Sequence, residues 1–258
     1  LAYKYFEGTR EFILHSDIAF HGKLLGSGTI TASKEVDFSF PSISNTSKFQ
    51  YNNINSVIEQ VESHKKSDGT SNVYAIIIEP FSASYLRPCD NEFLKKLKSL
   101  CVKNDIILIF DEIYTGWYKT GSRFNFINSE VIPDILTTSK SLGGGKASIS
   151  AYISTGDVLK KAYGDIKTAT LHTTTYNGFG EECATAIEAI NIMEEENYNQ
   201  KCLNIEKITK NRCKRLLEKF DNQIAEYRGQ GSLHGIYFKT DSGFGKILSL
   251  IPFSMTKD

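Results

Sequence analysis

This sequence has no excess of either charge: 30 Lys and Arg stand against 30 Asp and Glu over 258 residues. Without a basic surplus there is little to draw in a phosphate backbone, so nucleic acid is not an expected partner. No apolar run approaches the roughly 20 residues of a membrane span, and no membrane association is expected. The opening LAYKYFEGTREF has no signal-peptide pattern. Five cysteines (Cys89, Cys101, Cys183, Cys202 and Cys213) are an odd number, scattered, without CxxC or Cys/His metal spacing. Free thiols in a reducing cytoplasm are the simplest account, and no metal site is expected. There is no internal repeat and no low-complexity segment. What is left is a globular protein with one substantial core and room for a smaller second lobe.

The first residue is Leu1, and LAYKYFEGTR reads as the second half of a helix, as if the chain began in mid-fold. Glu11–Leu14 is a short strand run, and Gly22 turns the chain after Phe20 and His21. The Ser- and Asn-rich stretch 38–53 reads as irregular. Ile54, Val57, Ile58 and Val61 recur at helical spacing. Val73–Ile78 and Ile106–Phe110 are unbroken apolar runs, the mark of strands buried on both faces of a parallel sheet. Between them lies a helix opened by Asp90, with Phe93, Leu94, Leu97, Leu100 and Cys101 as its buried stripe. Strand, helix, strand at this spacing is a βαβ unit. A Gly/aromatic loop, a run at Ile132–Leu136 and a short strand at Ile149–Ile153 follow. Asp157 opens a short helix. A long helix over 181–196 would bury Cys183, Ile187, Ile190 and Met193, and a charged helix over 204–220 comes next. Tyr227–Gly231 reads as a turn into a strand at Leu233–Phe238, beyond which the signals fade.

Four of the apolar strands end in polar residues: Phe20-His21-Gly22, Glu79-Pro80, Asp111-Glu112 and Ser139-Lys140. In open α/β sheets, ligands gather at the carboxyl ends of the parallel strands. Asp111 closes an apolar strand, so its carboxylate starts in a poorly solvated place and needs a cationic partner or a metal. It could equally cap a neighbouring backbone. Alternation puts Asp111 and Ile113 on one side and Glu112 on the other. Lys140 precedes three glycines, Gly143–Gly145. By itself it is either a solvated loop lysine or one that forms a Schiff base with a carbonyl cofactor. A phosphate loop does not fit. Lys140 stands where the Walker pattern needs its first glycine, Ala147 where it needs Ser or Thr, and the glycines follow the Asp-Glu strand.

DEIYTGWYKTG, VIPDILTTSKSLGGG and LHTTTYNG, with Lys140 29 positions after Asp111, resemble the class III pyridoxal-phosphate aminotransferases. FHG at Phe20–Gly22, IIIEP at Ile76–Pro80 and RGQGSLHGI near Arg228 resemble further landmarks of that family, in the same order. The resemblance implies an α/β fold: a mostly parallel sheet with helices on both faces, the large domain of pyridoxal-phosphate fold type I. It places that cofactor-binding domain at residues 1–196, without its N-terminal part, and part of a small C-terminal α/β domain at 197–258. It implies transamination, an amino group passing from an amine or amino acid to a keto or aldehyde acceptor through a Schiff base on Lys140. Lys140 would also carry a proton as general acid/base. Asp111 would pair with the pyridine nitrogen of pyridoxal 5'-phosphate. Phe20 and Ile113 would sandwich the ring. Thr175 would hold the phosphate of a neighbouring subunit, which makes a homodimer with composite sites. His21 and Tyr114 would complete the surroundings. His21 and Glu112 read more readily as structural, and Glu79 is undecided.

The sequence also departs from that family. The glycine-rich phosphate-cradling segment of the family would precede Leu1, and the C-terminal part in which many members place a carboxylate-binding arginine would follow Asp258, so neither falls within this sequence. Ser84 stands near the position of a glutamate common in ornithine- and acetylornithine-type enzymes. Tyr114 replaces a frequent glutamine at the cofactor's phenolic oxygen, and Lys119 the usual arginine. Two other readings use the same parts: an aminomutase of the glutamate-1-semialdehyde type, and a non-catalytic fragment of the fold serving as a structural or dimerisation module.

Overall fold

The computed structural model of the chain describes residues 1–32, 43, 45–243 and 246. It opens with a single helical turn, α1 (Ala2–Tyr5), followed by β1 (Phe12–Ser16) and a short α2 (Leu25–Thr29). Part of the stretch read as irregular, 33–42 and 44, lies outside the described residues. Its later part is a strand, β2 (Thr46–Phe49), paired in parallel with β1. β2 sits at the sheet edge with Phe49 alone buried, so nothing in its composition marks it. Its strand state comes from the ladder with β1.

α3 (Ile54–Ser63) and β3 (Val73–Ile78) follow as the apolar spacing predicts. The Asn53 side chain accepts the Ser56 N–H at the start of α3. A two-residue ribbon, β4 (Phe81–Ser82) with β5 (Arg87–Pro88), leads to α4 (Asn91–Lys103). Asp90 stands at its N-cap position, but its side chain makes no capping hydrogen bond. β6 (Ile107–Asp111), the short α5 (Phe126–Ser129), β7 (Ile135–Thr138), β8 (Ala151–Ser154) and α6 (Gly156–Tyr163) complete the sheet region.

The sheet order is β2-β1-β3-β6-β7-β8, with all pairs parallel except β7–β8. Alternation along the central strands divides the core in two. Ile76, Ile78, Leu108 and Phe110 face α3 and α4, meeting Val57, Val61, Phe93 and Leu97. Ala75, Ile77, Ile107 and Ile109 face the other way, onto Ala2, Phe6 and Val158 of α1 and α6. Each fully buried Ile or Leu contributes about 1.5–3 kcal/mol, so a sheet covered on both faces carries most of the fold's stability. This is the α/β architecture the sequence implies, a mostly parallel sheet with helices on both sides.

α7 (Gly180–Glu195) matches the expected long helix, but its buried face differs. Ala186, Ala189 and Met193 are buried, whereas Ile187 is 60% exposed. The contact selects small residues because the helix lies close to the lysine turn. α8 (Tyr198–Lys219) begins six residues before the expected start, capped by Asn197, whose side chain accepts the Gln200 N–H. Beyond it, β9 (Ile224–Gln230) and β10 (Leu233–Phe238) form an antiparallel hairpin. Tyr227–Gln230 is therefore strand, and the turn is only Gly231-Ser232. A Cβ on Gly231 would lie 2.3 Å from the Lys119 carbonyl, and its φ is +63°, so the turn requires glycine. Of the faded C-terminal stretch, residues 244, 245 and 247–258 lie outside the described residues.

Candidate active site

The four polar strand ends follow β1, β3, β6 and β7, which are consecutive neighbours in the sheet and parallel. Parallel topology alone therefore sets Phe20-His21, Glu79, Asp111-Glu112 and Lys140 along one edge. Ile78 pairs with Phe110 in the ladder, so Glu79 and Asp111 come next on adjacent strands.

Asp111, the last residue of β6, is 6% exposed. Its Oδ1 accepts the Ile113 N–H at 3.1 Å, and its Oδ2 lies 2.8 Å from Nδ1 of His21. The His21 side chain is 2% exposed, and its Nε2 has no hydrogen-bond partner among the described residues. The imidazole is thus tied to the carboxylate at one end, while its other nitrogen is buried and unpaired among the described residues. Such buried charge-assisted pairs fix orientation as well as energy.

Glu112 faces the opposite way. Fully buried, it accepts the N–H groups of Asn125 and Phe126, at 2.6 and 2.8 Å, and the Thr115 hydroxyl at 2.9 Å. Burial pushes its pKa up to about 7, against the pull of these donors. It holds the loop 113–126 in shape, which is a structural task. Glu79, 5% exposed, accepts the Phe20 N–H at 2.9 Å and the Ala83 N–H at 3.1 Å. Burial pushes it up to about 7 as well, with His21 and the two amides opposing and Asp111 adding to the rise.

The lysine turn follows β7. Trp117 Nε1 donates to Thr138 Oγ1 at 2.8 Å, and Ser139 Oγ donates to the Ile149 carbonyl at 2.8 Å, so both residues before Lys140 are anchored. Lys140 itself has φ +47°, a left-handed backbone that costs a non-glycine residue energy and recurs at functional sites. Its side chain is exposed, with Nζ 4.9 Å above the centre of the Tyr114 ring. Of the glycines that follow, Gly144 makes room for α7: a Cβ there would meet the Ala189 Cβ at 2.8 Å, while one on Gly145 would meet nothing within 4 Å. At Gly144 the space that a side chain would fill is taken by α7.

The predicted residues are not all brought to one place. His21 and Asp111 are in contact, as are Lys140 and Tyr114. Phe20 is half-buried on the loop after β1, beside His21. Ile113 lines an open cleft of about 1200 Å³ with Thr138, Tyr152, His172, Tyr176 and Phe179. Lys140 lines a second cleft of about 930 Å³ with Gly144, Lys146, Glu188 and Tyr198. Thr175 lies in 171–180, every residue of which is exposed. The anchoring role of Trp117 was not visible in the sequence, where it is one aromatic in a Gly/aromatic loop. Its only trace is that it is the chain's single tryptophan.

The sequence model described as aminotransferase class-III matches residues 2–250. The chain belongs to this family. It is 28% identical over 234 residues to the acetylornithine aminotransferase of Nostoc sp. strain PCC 7120, covering 90% of this chain and 53% of that one. It is 32% identical over 220 residues to the acetylornithine aminotransferase of Methanocaldococcus jannaschii, covering 84% and 51%. The chain thus spans about half the length of these curated family members. In fold it superposes on the ornithine aminotransferase of Toxoplasma gondii with a TM-score of 0.82 at 24% identity, covering 93% of this chain and 55% of that one. One structure of that enzyme has pyridoxal phosphate (PLP) at its active site with partial occupancy.

Proposed function

We propose that this chain carries the ring-binding and lysine parts of a PLP-dependent transaminase site. The observation that supports this most is the buried Asp111–His21 pair, ending the strand beside the one that leads to Lys140. The donor set fits the cofactor. Asp111 offers a buried carboxylate to a pyridine N–H, and Lys140 an exposed amine to an aldehyde.

PLP bound there supplies a carbonyl for amine exchange and an electron-withdrawing ring. The residues do the rest. Asp111 would keep a proton on the ring nitrogen, and His21, through its 2.8 Å contact, fixes which way the carboxylate points. Phe20 and Ile113 would bound the ring, and Tyr114, its ring centre 4.9 Å from Lys140 Nζ, would hold the lysine head. Lys140 Nζ takes the proton from the substrate carbon and returns it as general acid/base. Transamination is favoured over the aminomutase and non-catalytic readings by the family and by the aminotransferases that the chain resembles.

Thr175 belongs to this reading as a phosphate ligand offered to a second copy. Its fully exposed segment, with Leu171 at 61% and Tyr176 at 75% exposure, suits a surface meant to be covered. The working form is then a homodimer with composite sites. We place the boundary between the cofactor-binding domain and the C-terminal part at 196/197, just before the Asn197 cap of α8. A cytoplasmic setting accords with five unpaired cysteines, and among the described residues no helix is long and apolar enough to cross a membrane.

The test is chemical. PLP added to the purified chain, then reduced with borohydride, should leave a pyridoxyl group on Lys140, found by peptide mass spectrometry. Labelling spread over surface lysines, or unchanged in Lys140→Ala, would overturn the reading.

A further inference from the structure

Glu79 is a buried carboxylate to which the reading above gives no task. It follows β3 directly, and its two oxygens serve two different loops. Oε2 takes the amide of Phe20 in the loop after β1, and Oε1 takes the amide of Ala83 in the β4–β5 ribbon. Phe20 and Glu79 are 59 residues apart in sequence. Amide bonds to a carboxylate are charge-assisted and stronger than neutral ones, so the side chain acts as a strut between the loops. The neighbouring backbone is tied elsewhere: Ala19 N–H donates to the Ser16 carbonyl and His21 N–H to Thr31 Oγ1. The amide between them, that of Phe20, goes to Glu79. One residue on, the His21 ring reaches Asp111. Two carboxylates on adjacent strands thus grip two successive residues of one loop.

We propose that Glu79 is a positioning residue, holding the Phe20 amide so that Phe20 and His21 are set against Asp111 where a cofactor ring would lie. The inference rests on the PLP reading for its purpose, but not for its geometry. A buried carboxylate is costly unless it is paired or well hydrogen-bonded, and this one meets that condition through the two loops it joins. The ionisable groups around it are His21, Asp111, Tyr51 and Cys89. Gln at this position keeps one acceptor oxygen and turns an N–H₂ toward the other amide, so one loop must come free.

The test compares the unchanged chain with Glu79→Gln, and with Glu79→Asp, which keeps two acceptors one methylene short, in case the first fails to fold. Hydrogen exchange at single amides, read by NMR without cofactor, should be about tenfold faster at Phe20 in the variants, the scale of one lost hydrogen bond. The Leu108 amide in the sheet core should not change. With PLP added, the variants should bind it about tenfold more weakly, and the circular-dichroism band of the bound cofactor should shrink as the ring loses its fixed setting. Unchanged exchange at Phe20 overturns the strut. Faster exchange with unaltered affinity and dichroism overturns the positioning role. If the unchanged chain itself binds no PLP, the transaminase reading fails, and the role of Glu79 toward a cofactor fails with it. That outcome is distinct from a failure confined to the variants.

Discussion

Gly144 and Gly145 are adjacent, both have left-handed backbones, and only one of them touches a helix. Their φ values are +59° and +74°. An alanine at either position takes on a conformation costing an L-residue about 1 kcal/mol or more. At Gly145 that is the whole effect, because a new Cβ meets nothing within 4 Å. At Gly144 the new Cβ would stand 2.8 Å from the Ala189 Cβ of α7, closer than real Cβ atoms approach. Either the lysine turn or the helix must move, and overpacking of this kind costs about 1–3 kcal/mol more. Gly145→Ala should therefore destabilise the chain by about 1 kcal/mol and Gly144→Ala by about 2–4 kcal/mol. Equilibrium urea denaturation measures this, with the single tryptophan as reporter, since Trp117 shares a core cluster with Leu142 and Ala189. Ala189→Gly supplies the control. Alone it costs about 1 kcal/mol of helix propensity, but combined with Gly144→Ala it removes the clashing methyl. The pair should then be more stable than the sum of the single effects by at least about 1 kcal/mol, a coupling that contacting residues show. Equal losses at both glycines, with no coupling to Ala189, would mean that α7 does not rest on Gly144.

Two further expectations concern the buried polar groups around the turn. Burial raises Glu79 and Glu112 from an ordinary 4.5 to about 7, so between those values the folded chain holds more protons than the unfolded one. Their contribution is therefore complete below about pH 4.5 and is lost as the pH rises through 7, up to about 3 kcal/mol for each group. Urea midpoints at pH 5 and pH 8 should show the loss, and Glu112→Gln, neutral throughout, should flatten it; an unaltered slope in that variant would refute the assignment. Trp117→Phe should cost about 1–3 kcal/mol by leaving the buried Thr138 hydroxyl without its indole donor. Adding Thr138→Val should recover part of that loss, and a Trp117→Phe chain as stable as the parent would remove the anchor from the account.

The parts of this fold that could be read from sequence are those in which the signal is local. Val73–Ile78 and Ile106–Phe110 announce themselves because a strand buried on both faces is apolar along its run. The polar residues that follow them are legible for the same reason, since a charge just past such a run lies at a sheet edge. Parallel neighbours then bring β1, β3, β6 and β7 to a single line, so His21 and Asp111 fall at the same edge, although nothing in the sequence pairs them. Where packing decides, local pattern fails. The apolar residues of α7 point to Ile187 as buried, yet closeness to Gly144 selects Ala186 and Ala189, and size-based hydrophobicity ranks these last. β2 is held by its ladder and not by its composition. The two glycines of 227–231 suggest a turn, but the strand runs on to Gln230 because the close approach of Lys119 and Thr120 is met only at Gly231. Glu79 shows the same limit within the site. Its position at a strand end marks it as available, but its partner is a backbone amide on another loop, and backbone amides leave no trace in a sequence. Side chains aimed from strand ends can be nominated from the sequence; the struts that hold them, made to main chain across loops, have to be seen.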